Sequence, residues 1–108
     1  MKTTTLAAER RAKLAAAMTA AGVDVLAAYG NGWQGDYLKY VSDFSILEGH
    51  GLAVLTPDGA CRLYLDSASE IDRATSETAG IEVRFSQQIG RDVAADLAAR
   101  GNVRVAAA

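Results

Sequence analysis

The stretch GLAVLTPDGACRLYLD, Gly51 to Asp66, sets two apolar runs on either side of Pro57, Asp58 and Gly59. The proline fixes φ, the aspartate side chain can hydrogen-bond back onto the chain, and the glycine accepts positive φ. Together they spell a tight turn. The runs therefore fold back as a β-hairpin, residues 52–56 against residues 61–65, and the rest of the chain must build around an antiparallel pair.

Outward from the hairpin the pattern changes to one of alternating helices and strands. Upstream, TLAAERRAKLAAAMTAA (residues 5–21) is rich in strong helix formers, with Leu14, Ala17, Met18 and Ala21 on one face and Gly22 as the stop. VDVLAAY (residues 23–29) is almost continuously apolar, which predicts an internal strand covered on both faces. Residues 36–41 make a short helix, with Asp36 placed to satisfy its free N–H groups.

Downstream, Ser67 or Ser69 caps a helix running to about Thr78, with Glu70 and Asp72 in its first turn. IEVRF (residues 81–85) is a strand. IGRDVAADLAAR (residues 89–100) is a helix with the stripe Ile89, Val93, Leu97 and Ala98, ended by Gly101. VRVAAA (residues 103–108) opens a last strand. The order predicts an α/β fold: one three-layer-like domain over residues 1–108, a mixed sheet flanked by helices. The sheet is parallel where helices cross over and antiparallel at the hairpin.

A net charge of -2 with interspersed signs gives no footprint for nucleic acid or an anionic membrane surface. The stretch LAAAMTAAGVDVLAAY is broken by Gly22 and Asp24 and is no bilayer span, and the N-terminus lacks the apolar core of a secretory signal. The single cysteine, Cys61, forms no internal disulfide, so a cytoplasmic setting is expected.

YGNGWQGDYLKY (residues 29–40) contains Gly30, Gly32 and Gly35 in the spacing G-x-G-x-x-G. A dinucleotide site needs an open glycine loop and a long helix whose N-terminus faces the pyrophosphate. Here Trp33 crowds the loop, Asp36 brings a carboxylate to the phosphate position, and the helix is short. The glycines are better read as supplying turn conformations in a loop that displays aromatic side chains.

Tyr29, Trp33, Tyr37, Tyr40 and Phe44 cluster around that loop. Tyr40 and Phe44 suit core packing, whereas Trp33 and Tyr37 suit a contact surface that is part apolar and part wet. His50, the only histidine, lies between two glycines and reads as an exposed turn residue without companion metal ligands. Cys61 reads as a small buried hydrophobe. The sequence thus offers no catalytic or metal-binding constellation, and its candidates for substrate access or an interface are Trp33, Asp36, Tyr37, Tyr40 and His50.

Arg10, Leu14, Met18, Gly22 and Asp24, then DYLKYVSDF, the hairpin with its acidic helix, and IEVRF follow one another in an order that resembles the N-terminal domain of the creatinase, prolidase and aminopeptidase P metallohydrolases. Asp43 stands where that pattern has glycine, Tyr37 where asparagine is common, and the Trp33 loop is elaborated. The resemblance implies a non-catalytic N-terminal domain of a metal-dependent peptidase or related C–N hydrolase. It would pack on its own C-terminal catalytic domain, support a homodimer and help shape substrate access. The pair of divalent ions (Mn, Zn or Co) would belong to the catalytic domain, leaving no cofactor in this chain. The apolar ending VRVAAA fits continuation into a longer polypeptide. The alternative is a stand-alone small-ligand-binding or protein-interaction module.

Overall fold

The computed structural model describes residues 2–108. Its elements run α1 (Lys2–Ala21), β1 (Val25–Asn31), α2 (Asp36–Ser42), β2 (His50–Leu55), β3 (Cys61–Leu65), α3 (Ala68–Glu77), β4 (Glu82–Phe85), α4 (Ile89–Ala98) and β5 (Val105–Ala107). The hairpin forms, shifted by one residue from the expected pairing of 52–56 with 61–65: Gly51 lies opposite Leu65, Leu52 opposite Tyr64 and Leu55 opposite Cys61. At its turn the Asp58 carboxylate accepts from Thr56 Oγ1 and the Ala60 N–H, and Gly59 takes φ 90°.

The sheet is mixed, in the order β4-β3-β2-β1-β5. β1 pairs antiparallel with β2 and parallel with β5, and β3 pairs parallel with β4. β1 is internal as expected, although it lies next to an edge.

Period-two alternation divides the strand side chains between two cores. On one face Ala28, Ala53, Leu55, Leu63 and Leu65 pack with Met18 of α1, Leu38 and Val41 of α2, and Ala74 of α3. On the other, Val25, Val54 and Tyr64 pack with Val93, Ile89 and Leu97 of α4. Three layers result, with three helices on one side and one on the other. No helix among the described residues is long and apolar enough to cross a membrane.

The buried stripe of α1 differs from the expected one. Ala7, Arg11, Ala15 and Met18 are buried, Leu14 is partly so, and Ala17 and Ala21 face solvent. A helix with alanine on every side carries little phase information, so packing partners choose the face.

Arg11 is only 4% exposed and donates to the carbonyls of Val41 and Ala79, at 3.4 and 3.3 Å. These carbonyls lie at or just beyond the C-terminal ends of α2 and α3, where backbone dipoles leave partial negative charge. A buried cation is thereby met without a carboxylate.

The neighbouring Arg10 binds the Tyr40 carbonyl (2.6 Å) and Asp43 (3.4 Å). Asp43 is the αL C-cap of α2 at φ 66°. Aspartate tolerates that conformation better than most residues, which accounts for its use where the resemblance expects glycine.

The N-caps also differ in detail. Gly35 is the N-cap of α2 and Asp36 its first residue, so Asp36 acts through its charge in the first turn and makes no side-chain cap bond. Ser67 is the N-cap of α3, again without a side-chain cap bond.

Candidate functional site

The site begins where β1 turns into α2. Asn31 Oδ1 accepts from the N–H groups of Trp33 and Gln34, both at 2.8 Å, and Asn31 N donates to the Gln34 carbonyl at 2.9 Å. This tight turn pushes Trp33 outward.

Two of the three glycines around it, Gly30 and Gly32, serve close packing. None of the three has positive φ, which corrects the expectation that they supply turn conformations. A Cβ on Gly30 would lie 2.7 Å from Leu38 Cβ, and one on Gly32 would lie 2.6 Å from the Leu47 carbonyl oxygen. Absent side chains therefore let α2 and the segment before β2 press against the end of β1.

Trp33 is 95% exposed, and Tyr37 and Tyr29 are exposed as well. With Gln34, Asp36 and Ala108 they line an open groove of about 430 Å³. Trp33 also borders a second cleft, of about 260 Å³, with Asn31, Leu47, Glu48 and His50.

His50 is the first residue of β2 rather than part of a turn, though it is exposed as expected. Its ring stacks on Tyr29, centroids 5.9 Å apart at 25°, and its Nδ1 lies 2.5 Å from the Tyr29 hydroxyl. Asn31 Nδ2 donates to the same hydroxyl oxygen at 3.3 Å. Asp66 holds the backbone here, accepting from His50 N at 2.7 Å.

Of the residues singled out in the sequence, Trp33, Asp36, Tyr37 and His50 gather around Tyr29. Tyr40 does not. It is also not core, being 52% exposed, and its ring lies 5.1 Å from the Arg10 guanidinium on α1. The buried residues of α2 are Leu38, Val41 and Ser42, so position 40 falls outside that set. Phe44 is fully buried, as expected, with the Arg73 guanidinium 4.9 Å from its ring centroid.

Sequence reasoning missed two supports. The first is Glu70, 2% exposed, whose carboxylate accepts from Leu47 N (2.6 Å), Glu48 N (3.2 Å) and Arg73 Nη1 (2.5 Å). Burial pushes this carboxyl upward, but the two N–H groups and the arginine outweigh it and hold Glu70 below the usual range. The clamp fixes the segment that floors the second cleft.

The second is the Tyr29–His50 pair, which the strand register contains: Tyr29 lies opposite Leu52 and Asn31 opposite His50. That places Tyr29 and His50 diagonally on one face.

Cys61 is buried as expected, and burial pushes its thiol up to about 11. A thiol held protonated is a poor nucleophile. Among the described residues no group of three or more His, Cys, Asp or Glu side chains is arranged to hold a metal ion. The corner's donors do not fit a metal pair.

No family model matches the sequence, and no curated protein does either. Solved structures do match the fold. The Xaa-Pro dipeptidase of Bacillus anthracis superposes with a TM-score of 0.75 at 19% identity, over 94% of this chain and 26% of that one. Aminopeptidase P, an Xaa-Pro aminopeptidase of Streptococcus thermophilus, gives 0.74 at 17% identity, over 94% and 73%. The N-terminal, creatinase/prolidase-like domain of a protein described as a metallopeptidase, from Corynebacterium diphtheriae, gives 0.62 at 19% identity, over 74% and 59%. The match thus spans just over half of the Corynebacterium chain and about a quarter of the Bacillus one. Identities this low speak to architecture alone, and the architecture of this chain is similar to that of the creatinase/prolidase-like domain.

Proposed function

We propose that the chain is a non-catalytic domain of a metal-dependent peptidase or related C–N hydrolase, of Xaa-Pro peptidase or creatinase type. It serves dimerisation and substrate access. The observation that carries this reading is the fold likeness to the Bacillus dipeptidase, which takes in 94% of this chain and only 26% of that protein. A domain used in this way needs a partner surface, and the exposed group Tyr29, Trp33 and Tyr37 with Asp36 and His50 supplies one. The catalytic domain, carrying the pair of Mn, Zn or Co ions, would be the first partner and a second copy of the whole enzyme the next. The lone buried cysteine suits a reducing, cytoplasmic compartment.

The test is to sequence the gene beyond codon 108 and assay its full product on Xaa-Pro dipeptides and creatine-like amidines with added Mn²⁺. An open frame continuing into a domain with clustered aspartate, histidine and glutamate ligands, and hydrolysis by the full product alone, are the expected results. A stop directly after codon 108 would overturn the reading.

A second reading, a stand-alone small-ligand module, is favoured by one observation: a groove of about 430 Å³ lined by Tyr29, Trp33 and Tyr37 with the polar Gln34 and Asp36. Its test is a thermal-shift screen with nucleotides, amino acids and peptides, since ligands that bind the native state raise the apparent Tm.

A further inference from the structure

The groove has a chemistry of its own, whatever enzyme the domain serves. Its walls are the rings of Tyr29, Trp33 and Tyr37, its acidic group is Asp36, and no lysine or arginine among the described residues lines it. Aromatic faces carry the negative part of the ring quadrupole, so they attract positive charge carried on an apolar body.

The alternatives fit less well. An anion would meet the Asp36 carboxylate, and α2, at seven residues, is too short to offer a competing anion site. A neutral apolar body would cover the rings but would desolvate Asp36 without pairing it. Beyond Trp33 the second cleft adds another acid, Glu48, and again no lysine or arginine. A volume of about 430 Å³ lies inside the roughly 300–1,000 Å³ range of small-molecule sites.

We propose that this groove binds a small organic cation of the alkylated ammonium class, seated on the Trp33 and Tyr37 rings with Asp36 as its counter-charge. The inference shares its surface with the access role proposed above but rests on the chemistry of the groove, so it is tested on the 108-residue chain alone. Failure here would leave the larger-enzyme reading standing, and the reverse also holds.

Trp33 is the single tryptophan, so its fluorescence reports from the wall of the groove. The chain is titrated at constant ionic strength with choline chloride and, separately, with 3,3-dimethyl-1-butanol, the uncharged isostere of choline. Expected is a saturable change in Trp33 emission with choline, with a Kd on the order of 1 mM, the scale set by two or three cation–π contacts. The isostere should bind about tenfold more weakly. Asp36→Asn and Tyr37→Leu should each weaken choline binding about five- to tenfold while leaving the circular dichroism spectrum unchanged, and Asp36→Asn, which also takes the charge from the first turn of α2, should lower Tm by no more than a few degrees. Equal affinity for choline and its isostere, choline binding indifferent to both substitutions, or no saturable change up to roughly a hundred times the expected Kd would each overturn the proposal.

Discussion

The two faces of the sheet are finished to different degrees. One carries α1, α2 and α3 over a core of Met18, Ala28, Leu38, Phe44, Leu55, Leu63 and Leu65, and its buried charges are met by Val41 and Ala79 carbonyls at Arg11 and by N–H groups and Arg73 at Glu70. The other carries α4 alone. One helix with its side chains is about 10–12 Å across, whereas five strands span about 19 Å between the outer two. α4 covers Val25, Val54 and Tyr64 and leaves Tyr29 and His50 at the open end. Buried charge is met on the three-helix face, and the exposed rings gather at the β1–α2 corner, where Tyr29 from the single-helix side meets Trp33 and Tyr37. Each substitution below strains that division.

The largest effect is expected at Glu70. Glu70→Ala strips the partner from two backbone N–H groups and from Arg73, and should cost about 3 kcal/mol, lowering Tm by more than about 10 °C in thermal melts. A loss below about 1 kcal/mol would mean that the clamp is incidental. The same group has a pH signature. Its folded pKa is depressed, so its contribution is complete above the unfolded carboxylate's value and is lost as pH falls through the lower folded value. Glu70→Gln should therefore flatten the acid limb of the stability–pH curve below about pH 4.5. Asp96, Asp58 and Glu82, also held low by hydrogen bonds first from Tyr64, Thr56 and Arg84, would supply further slope.

Next comes Gly30. Gly30→Ala places a methyl group 2.7 Å from Leu38 Cβ, part of a buried helix that can yield only by moving, and should cost about 1–3 kcal/mol. Gly59→Ala is the control: nothing lies within 4 Å, so its cost comes only from φ 90°. Leu38→Ala would keep the Cβ atom that the new methyl group meets, so the test combines Gly30→Ala with Leu38→Gly, which should be less than additive in urea melts if contact is the cause, whereas Gly59→Ala with Leu38→Gly should add.

Those two glycines also mark how far the sequence could be read. Gly59, like Gly22 and Gly101, ends or turns an element, and its positive φ follows from residues beside it. The hairpin, the element order and the sheet class were legible for that reason. Gly30 and Gly32 act through Leu38 and Leu47, partners fixed only by tertiary structure, so the same letter was misassigned to turn geometry. The α1 stripe failed because alanines on every side leave its phase to the neighbours. Tyr40 was placed in the core because its spacing from Tyr37 says that two rings are close without saying which face is covered. Trp33, Asp36 and Tyr37 stood out in the sequence because they crowd into and directly after one glycine loop, and His50 because it is the only histidine and lies between two glycines. Tyr29 and His50 became a pair only once the register was known.

The smallest effect on stability is expected at Trp33. At 95% exposure its ring removes almost no surface from water on folding, and its backbone N–H keeps the Asn31 bond when the ring is removed. Trp33→Ala should change stability by no more than about 0.5 kcal/mol, within the range of ordinary surface substitutions. In an enzyme that carries this domain the same change should reduce kcat/KM or the dimer population, because a large exposed ring beside Tyr29 and Tyr37 gains its burial only against a ligand or another surface. The two measurements pull apart the faces compared above. A large drop in Tm with unchanged kinetics and oligomeric state would assign Trp33 to the folding side of the division, whereas an unchanged Tm with impaired turnover or assembly assigns the open end of the sheet to contact.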